Sequence, residues 1–247
     1  MKKETIVSIE MTATQMKLVR AGRVKNDFLV TTSAVVSIKE RSDEEISQIL
    51  LKTVREAKIQ ADQSIAVIAR RYATLVQLRL PVQADQEVRN MVSLQIVNCV
   101  PYAREDIVYD YRILEKESSG YSRVLVAVVS REVVNRYLKI LARAGIAPGV
   151  LTLSSTGLTH WYLYQKNKAK ISSAVSMLIH MDADQSELCF YDRECLLFSR
   201  EINFGLQDMN PEGVDLSLRQ IDLTMASYVR EKMGPEILQI FIVTPFK

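Results

Sequence analysis

The chain has 247 residues, of which 48% are apolar and 25% charged, and its net charge is +3. This balance is typical of a soluble globular protein with one or two domains. The longest apolar run, Val124–Val129, is far shorter than the roughly 20 residues of a membrane-spanning helix. No apolar segment follows the opening residues, so no secretory signal is predicted and the cytoplasm is the expected location.

Several classes of site are excluded by residue counts. Three scattered cysteines and two histidines predict neither a disulfide framework nor a metal site, and the cysteines are expected to be buried or half-buried thiols. The basic residues are interspersed with acidic ones, which gives no indication of nucleic-acid binding. The eight glycines lie apart from one another, so no Rossmann, P-loop or nucleophile-elbow motif is present.

The first part of the chain predicts an α/β layer. Alternating residues at 5–9, 15–20 and 27–35 predict three antiparallel strands joined by tight turns. Ser42 and Glu45 form a capping box, and apolar residues spaced by three and four behind it predict an amphipathic helix. Residues 64–69 predict a buried strand. A meander followed by a helix and a strand indicates mixed α/β architecture.

A second unit is predicted at residues 75–149. Its elements are a strand that stops at Pro81, a helix from Asp85 to about Pro101, two strands, and a helix that begins after Ser130 and ends at Gly145. The two strands lie at 107–114 and 123–129. With a closing strand, this pattern predicts a self-contained β-α-β-β-α-β module.

The rest of the chain repeats the opening pattern. A strand at 150–153 and a helix at 154–165, with Trp161 expected in the core, lead to a polar connector at 166–170, interpreted either as a hinge or as a surface loop. The later strands and the helix are predicted at 175–180, 188–191, 196–202, 214–232 and 238–243. Each half therefore has three strands, a helix and a strand, and the module interrupts the first half.

This arrangement resembles the actin-like ATPase superfamily, and within it the PilM family of type IV pilus assembly. Five stretches carry the resemblance to PilM: 79–102, 106–114, 124–138, 144–148 and 195–205. The resemblance implies an α/β, actin-like (ribonuclease H-like) two-lobe fold with an inserted β-α-β-β-α-β module in the first lobe. The implied segments are 1–74 and 150–170 for the first lobe and connector, 75–149 for the module, and 171–247 for the second lobe.

The resemblance also implies ATP and Mg²⁺ held between two hairpin loops, whose family pattern includes an Asp and a Gly. At the first loop, which includes Thr14, Glu10 stands at the Asp position, Thr12 at the Gly position, and Lys17 matches the family lysine. At the second loop, His180 replaces the Asp and Asp182 the Gly, whereas Ser186 keeps the hydroxyl. Glycine lets backbone amides approach phosphate, so both replacements are expected to weaken triphosphate binding. The second lobe is also expected to be short, because the family continues into a Gly-Gly loop that contacts adenosine.

The function implied by the resemblance is that of a scaffold. PilM-like proteins lie on the cytoplasmic side of the inner membrane and hold the N-terminal cytoplasmic peptide of a single-span PilN-like partner, in a groove between the first lobe and the module. Five residues at the end of the module's first helix are the candidates for the apolar floor and rim of that groove: Leu94, Val97, Val100, Pro101 and Tyr102.

Two alternatives remain open at this point. The first is a nucleotide-dependent switch or enzyme, in which Glu10 would position Mg²⁺ through water and Lys17 would counter a phosphate; a surface ion pair is the competing interpretation of these two residues. The second is the related cytoplasmic domain of a GspL-like type II secretion protein, over which Tyr109 and Tyr111 favour PilM. Other platform proteins and a second copy of the chain are further possible partners.

Overall fold

The computed structural model describes residues 5–25, 27–59, 62–169 and 175–244. The strands are β1 (Thr5–Met11), β2 (Gln15–Val24), β3 (Asp27–Ser37), β4 (Gln63–Ile68), β5 (Ala73–Leu80), β6 (Ile107–Lys116), β7 (Ser122–Ser130), β8 (Val150–Leu153), β9 (Ser176–Met181), β10 (Ser186–Asp192), β11 (Cys195–Ile202) and β12 (Gln239–Val243). The α-helices are α1 (Asp43–Glu56), α2 (Asp85–Gln95), α3 (Arg131–Arg143), α4 (Ser154–Ala169) and α5 (Pro211–Arg230). None of the described helices is both long and apolar enough to cross a membrane.

Contacts divide the chain into two compact units. The first comprises Met1–Tyr72 and Ser130–Ser154, and the second comprises Ala73–Val129 and Ser155–Lys247. Each unit has its own sheet built on the predicted meander.

The first unit contains a five-stranded sheet in the order β3-β2-β1-β4-β8. The meander β1-β2-β3 is antiparallel, whereas β4 and β8 add to it in parallel. Helix α1 begins with the predicted capping box, since Glu45 N donates to Ser42 Oγ and Ser42 N donates to the Glu45 carboxylate. Its first turn carries Asp43 and Glu44, which pair with Arg136 and Arg143 of α3 at 2.9 and 2.8 Å. Helices α1 and α3 are thereby held side by side.

The second unit contains two sheets. A four-stranded sheet has the order β11-β10-β9-β12, and α5 and α4 pack on its opposite faces because alternate residues of β9 and β10 point to opposite sides. A three-stranded sheet, β5-β7-β6, packs on α2. The two sheets are joined through Gln77 Nε2, which donates to the carbonyl oxygens of Leu197 and Met233 at 2.7 and 3.1 Å.

The predicted strands and helices are confirmed with shifts at their ends, the largest at α2, which ends at Gln95 and not at about Pro101 as predicted, because a separate 3-10 turn follows at Ile96–Asn98. The prediction of a separate closing strand for the module is wrong. Residues 144–149 form no strand, and β8 pairs with β4. The contacts also group α3 with the first unit, whereas the prediction placed it in the segment 75–149. The predicted boundaries of the module, 75–149, therefore differ from those of the compact units.

The predicted connector at 166–170 is wrong over its described part. Helix α4 continues to Ala169, and Lys166 is buried with its ammonium donating to Arg193 O at 3.0 Å. The long aliphatic stem of lysine can be buried when its charged end finds an acceptor, which the charge pattern alone does not reveal. Residue 170 and the start of the segment 171–247 lie outside the described residues. Two burial expectations also fail, since Trp161 and Cys99 are exposed.

An ion pair closes the turn between β6 and β7. Arg79 donates from Nη2 to Glu117 Oε2 at 2.6 Å and from Nε to Oε1 at 3.0 Å, and its guanidinium lies 3.8 Å from the centre of the Tyr121 ring. Ser119 Oγ donates to the same carboxylate at 2.8 Å. These hydrogen bonds, above all those from Arg79, lower the pKa of Glu117 to about 2.

We expect the Arg79→Ala variant to raise the pKa of Glu117 toward its ordinary value of 4.5, because the largest cause of the depression is removed. A depressed carboxyl pKa stabilises the fold above the unfolded-state pKa, and that stabilisation is lost as pH falls from about 4.5 toward 2. Carboxyl carbon NMR titration measures the change. Arg112→Ala, an exposed substitution on β6, is the control, and an unshifted Glu117 in Arg79→Ala would contradict the assignment.

Candidate functional site

The first candidate site is the hairpin tip between β1 and β2. Thr12 N donates to Gln15 O at 2.8 Å, and the Thr12 hydroxyl oxygen accepts from the amides of Gln15 and Thr14 at 3.0 and 3.3 Å. Thr14 O accepts from Ile38 N at 2.8 Å, so the tip is also tied to the residue that follows β3. The amides of Thr12, Thr14 and Gln15 are therefore occupied by acceptors from their own turn.

The flanking residues of this hairpin are paired as well. Glu10 and Lys17 lie opposite each other on β1 and β2, with Lys17 Nζ 3.6 Å from Glu10 Oε2. This is the ion pair that was the competing interpretation of these two residues. The hydroxyl of Tyr137 on α3 donates to Met11 O, and burial raises the pKa of this phenol. Both contacts stabilise the hairpin.

The second candidate site is the corresponding tip between β9 and β10. Asp182 N donates to Gln185 O at 2.8 Å, as Thr12 N does to Gln15 O. Asp182 Oδ1 accepts from Ala183 N at 2.8 Å, and Ser186 Oγ donates to Phe204 O at 2.6 Å. The hydroxyl that the family pattern retains at Ser186 is thus buried and hydrogen-bonded within the unit.

A segment after β11 packs directly on the second tip. Leu206 N and Gln207 N donate to the carbonyl oxygens of Asp182 and Ala183 at 2.8 and 2.9 Å. A Cβ added to Gly205 would lie 2.4 Å from Ala183 O, which only the absence of a side chain permits. This role of Gly205 is not evident from the sequence. The scarcity of glycine singled out eight positions, but the sequence does not show which of them meets a backbone.

The residues at the two tips do not fit a phosphate cradle. Such a cradle needs backbone amides that point at the anion without competing acceptors. At each tip the residue in the family's glycine position, Thr12 or Asp182, instead supplies a side-chain oxygen that accepts from amides of its own turn. Asp182 also brings a carboxylate, which repels a phosphate. Within the described ranges, no group of three or more His, Cys, Asp and Glu side chains could hold a metal ion.

The third candidate site is the loop that follows α2. Two 3-10 turns, Ile96–Asn98 and Arg104–Asp106, connect α2 to β6. Ile96 and Val100 are buried in the core beneath this loop, so Val100 anchors the loop and does not belong to an exposed floor. Arg104 Nη2 donates to Ser93 Oγ, which ties the far end of the loop to the helix.

Four of the predicted partner residues remain at the surface, at the end of α2 and in the loop, and we call them the α2 patch: Leu94, Val97, Pro101 and Tyr102. Leu94 is 62% exposed and Tyr102 46% exposed, whereas Val97 is half-buried against the core. An exposed leucine at the helix end, with an exposed proline and tyrosine on the anchored loop, can bury apolar area on an extended peptide without first ordering the loop.

We expect the Gly205→Ala variant to lower the free energy of unfolding of the second unit by about 2 kcal/mol, because its methyl group would overlap a backbone carbonyl that is held in the hairpin. Urea denaturation measures the loss. Gly157→Ala is the matched control, since its Cβ would meet open space in α4, and it is expected to raise stability by about 0.5 kcal/mol. Equal stability of Gly205→Ala and the wild type would show that the segment does not pack on the tip as described.

Solved structures with similar folds support an actin-like architecture. The PilM-PilN type IV pilus biogenesis complex contains a chain that matches with a TM-score of 0.77 at 16% identity, over 97% of this chain and 81% of that one. The cytoplasmic domain of EpsL, an inner membrane component of the type II secretion system of Vibrio cholerae, matches with a TM-score of 0.61 at 12% identity, over 99% and 84%. A Bacteroides thetaiotaomicron protein of unknown function with an actin-like ATPase fold gives 0.53 at 14%, over 98% and 91%.

At such low sequence identity, the structural similarity establishes the fold alone, and it confirms the predicted actin-like α/β class. No curated protein matches the sequence. The family model described as type IV pilus assembly protein PilM matches residues 8–244, nearly the whole chain. The chain therefore belongs to the PilM family of type IV pilus assembly proteins.

Proposed function

We propose that the protein is a nucleotide-independent adaptor of a type IV pilus assembly platform. In this role it binds the N-terminal cytoplasmic segment of a PilN-like single-span protein and is recruited by it to the cytoplasmic face of the inner membrane. The observation that carries the proposal is the similarity to the PilM-PilN complex over 97% of this chain, together with the family match.

The α2 patch supports the docking part of the proposal. Leu94 at the end of α2 and Tyr102 in the loop are both exposed, while Ile96 and Val100, which lie between them in the sequence, are buried in the core. Tyrosine combines a large apolar ring with a hydroxyl that can reach solvent, which suits it to the rim of a peptide site. A rigid, partly apolar patch loses little conformational entropy when a peptide binds, so affinity can arise from few contacts.

The hairpin tips support the nucleotide-independent part. ATP can drive a switch only if it binds one conformation of the protein more tightly than the other, through contacts with its phosphates. The amides of Thr12, Thr14 and Ala183 already donate within their turns, and breaking those bonds would offset the gain from a bound phosphate.

The cytoplasmic component of a type II secretion platform is the second candidate function. It is favoured by the similarity to the EpsL cytoplasmic domain, which spans 99% of this chain. The pilus adaptor is favoured over it by the family match and by the higher TM-score of the pilus complex, 0.77 against 0.61.

The docking proposal is tested with a synthetic peptide that corresponds to the N-terminal cytoplasmic segment of the PilN-like protein from the same genome. We expect saturable binding in fluorescence anisotropy, and we expect Tyr102→Ala and Leu94→Ala each to weaken it about tenfold, the equivalent of ~1.4 kcal/mol. Leu223→Ala is the matched control, because Leu223 is similarly exposed but lies on α5.

The two parts of the proposal fail in different ways. An absence of wild-type binding up to millimolar peptide would reject the PilN-like partner. If the wild type binds the peptide and both patch variants bind it equally well, the PilN-like partner is retained and the α2 patch is rejected as its docking site.

A further inference from the structure

In the first unit, the hairpin of β2 and β3 extends past the strand beside it. Strand β2 pairs with β1 from Met16 to Gly22, but it pairs with β3 from Gln15 to Val24. Beyond Gly22, no described strand other than β3 pairs with β2, so the end of the hairpin is a two-stranded ribbon. Strand β3 is the last in the sheet order, and β2 separates it from β1.

Large apolar side chains at the end of this ribbon are exposed on both of its faces. Phe28, Leu29 and Val30 of β3 are 50, 60 and 58% exposed, and Val24 of β2 is 41% exposed. Successive side chains of a strand point to opposite faces, so the exposure of three in a row leaves both faces of the ribbon open. We call these four residues the ribbon patch. Exposed apolar residues that occur singly are ordinary, but a cluster of this kind indicates a contact surface.

Basic residues accompany the ribbon patch. Residues 18–37 contain three of them, Arg20, Arg23 and Lys25, against a single acidic residue, Asp27. This segment thus carries a net charge of +2, out of +3 for the whole chain. Cations beside exposed apolar side chains suit an anionic membrane surface, because the cations reach the lipid phosphates while the apolar groups enter the boundary of the acyl chains.

The exposure of both faces favours a membrane over a protein partner. A protein docks on one face of a ribbon and leaves the other face in water, whereas a lipid layer can surround both faces at once. The backbone limits how deeply the ribbon can enter. Its two strands pair with each other, as Arg23 does with Phe28, but no described strand pairs with the outer edge of β3. The amides and carbonyls of that edge need water, so only shallow insertion is possible.

We propose that the ribbon patch inserts shallowly into the surface of a membrane that contains anionic phospholipids. Phe28, Leu29 and Val30 enter the boundary between headgroups and acyl chains, while Arg23 and Lys25 contact lipid phosphates. So few side chains bind more weakly than a single myristoyl chain, whose association constant is about 10⁴ M⁻¹, and we expect half-maximal binding at about millimolar lipid. The inference concerns the first unit and does not rest on the proposed peptide partner, whose candidate site lies in the second.

Co-sedimentation of the 247-residue chain with lipid vesicles tests the proposal. We expect it to bind vesicles of equal parts phosphatidylcholine and phosphatidylglycerol at least fivefold more tightly than vesicles of phosphatidylcholine alone. L29S and K25E are each expected to weaken binding to the mixed vesicles about fivefold or more, since one cation near an anionic surface contributes about that factor.

Each variant has a matched control that is expected to bind like the wild type. V35S changes a valine of β3 that is 63% exposed but lies opposite Lys17, away from the ribbon end. K58E changes an exposed lysine with φ of 48°, close to the 56° of Lys25, and alters the net charge equally. No binding at tenfold more lipid than expected, equal binding to both kinds of vesicle, or variants that bind like their controls would overturn the proposal.

Tryptophan fluorescence separates insertion from adsorption by charge. The chain contains one tryptophan, Trp161, so L29W and V35W are each prepared with W161F to give a single reporter. With the mixed vesicles, we expect the emission of L29W to shift to the blue and to be quenched by brominated acyl chains, whereas that of V35W does not change. Binding without quenching at position 29 would show that the ribbon stays outside the lipid layer, and would overturn the proposed insertion.

Discussion

A backbone amide can donate to one acceptor at full strength, and at the tips of two hairpins those amides are already committed. In the first unit the Thr12 hydroxyl accepts from two amides of its turn, and in the second the Asp182 carboxylate accepts from one. These bonds define the ends of β1 and β9, from which the rest of each meander is registered. A residue without a side chain at these positions would leave the same amides free for an anion. The identity of two residues thus separates a structural turn from a phosphate-binding one.

The two halves of the chain share one hairpin turn but pack different elements against it. Thr12 and Asp182 each donate to the residue three positions later at 2.8 Å, which is the clearest structural sign of the internal repeat. Beyond that shared turn the halves diverge. The first unit ties its hairpin to α3 through Tyr137, whereas the second packs Gly205 on its hairpin and attaches the β5-β7-β6 sheet through Gln77. In the second unit, the meander thereby supports the β5-β7-β6 sheet, on which α2 and its patch pack.

The regular elements were predictable because their signals are local. Periodicity indicated the strands and helices, and the capping box of Ser42 and Glu45 and the left-handed Gly145 were predicted from residue type alone. The family resemblance also located the hairpin tips and led to the expectation that Thr12 and Asp182 weaken phosphate binding. It did not indicate that their oxygens accept from the turn amides, because this depends on the backbone conformation of the tip.

The features that could not be predicted from the sequence depend on contacts between residues that are far apart along the chain. Gly205 meets Ala183, and Lys166 finds the carbonyl of Arg193, at separations that periodicity does not encode. Val100 was expected in the apolar floor of a peptide groove, but it fills the core under its loop. Tertiary packing decides which apolar residue of a loop is buried, so a list of apolar residues near a helix end cannot separate an anchor from a docking residue.

The central claim is that the hairpin amides are closed to phosphate. Amide NMR of the ¹⁵N-labelled chain, titrated with ATP and Mg²⁺ to millimolar concentration, tests it most directly at the residues concerned. The structure predicts that the resonances of Thr14, Gln15 and Ala183 do not move in a saturable way. Saturable shifts of these amides at micromolar nucleotide would show that the turns open for phosphate, and would contradict a nucleotide-independent adaptor.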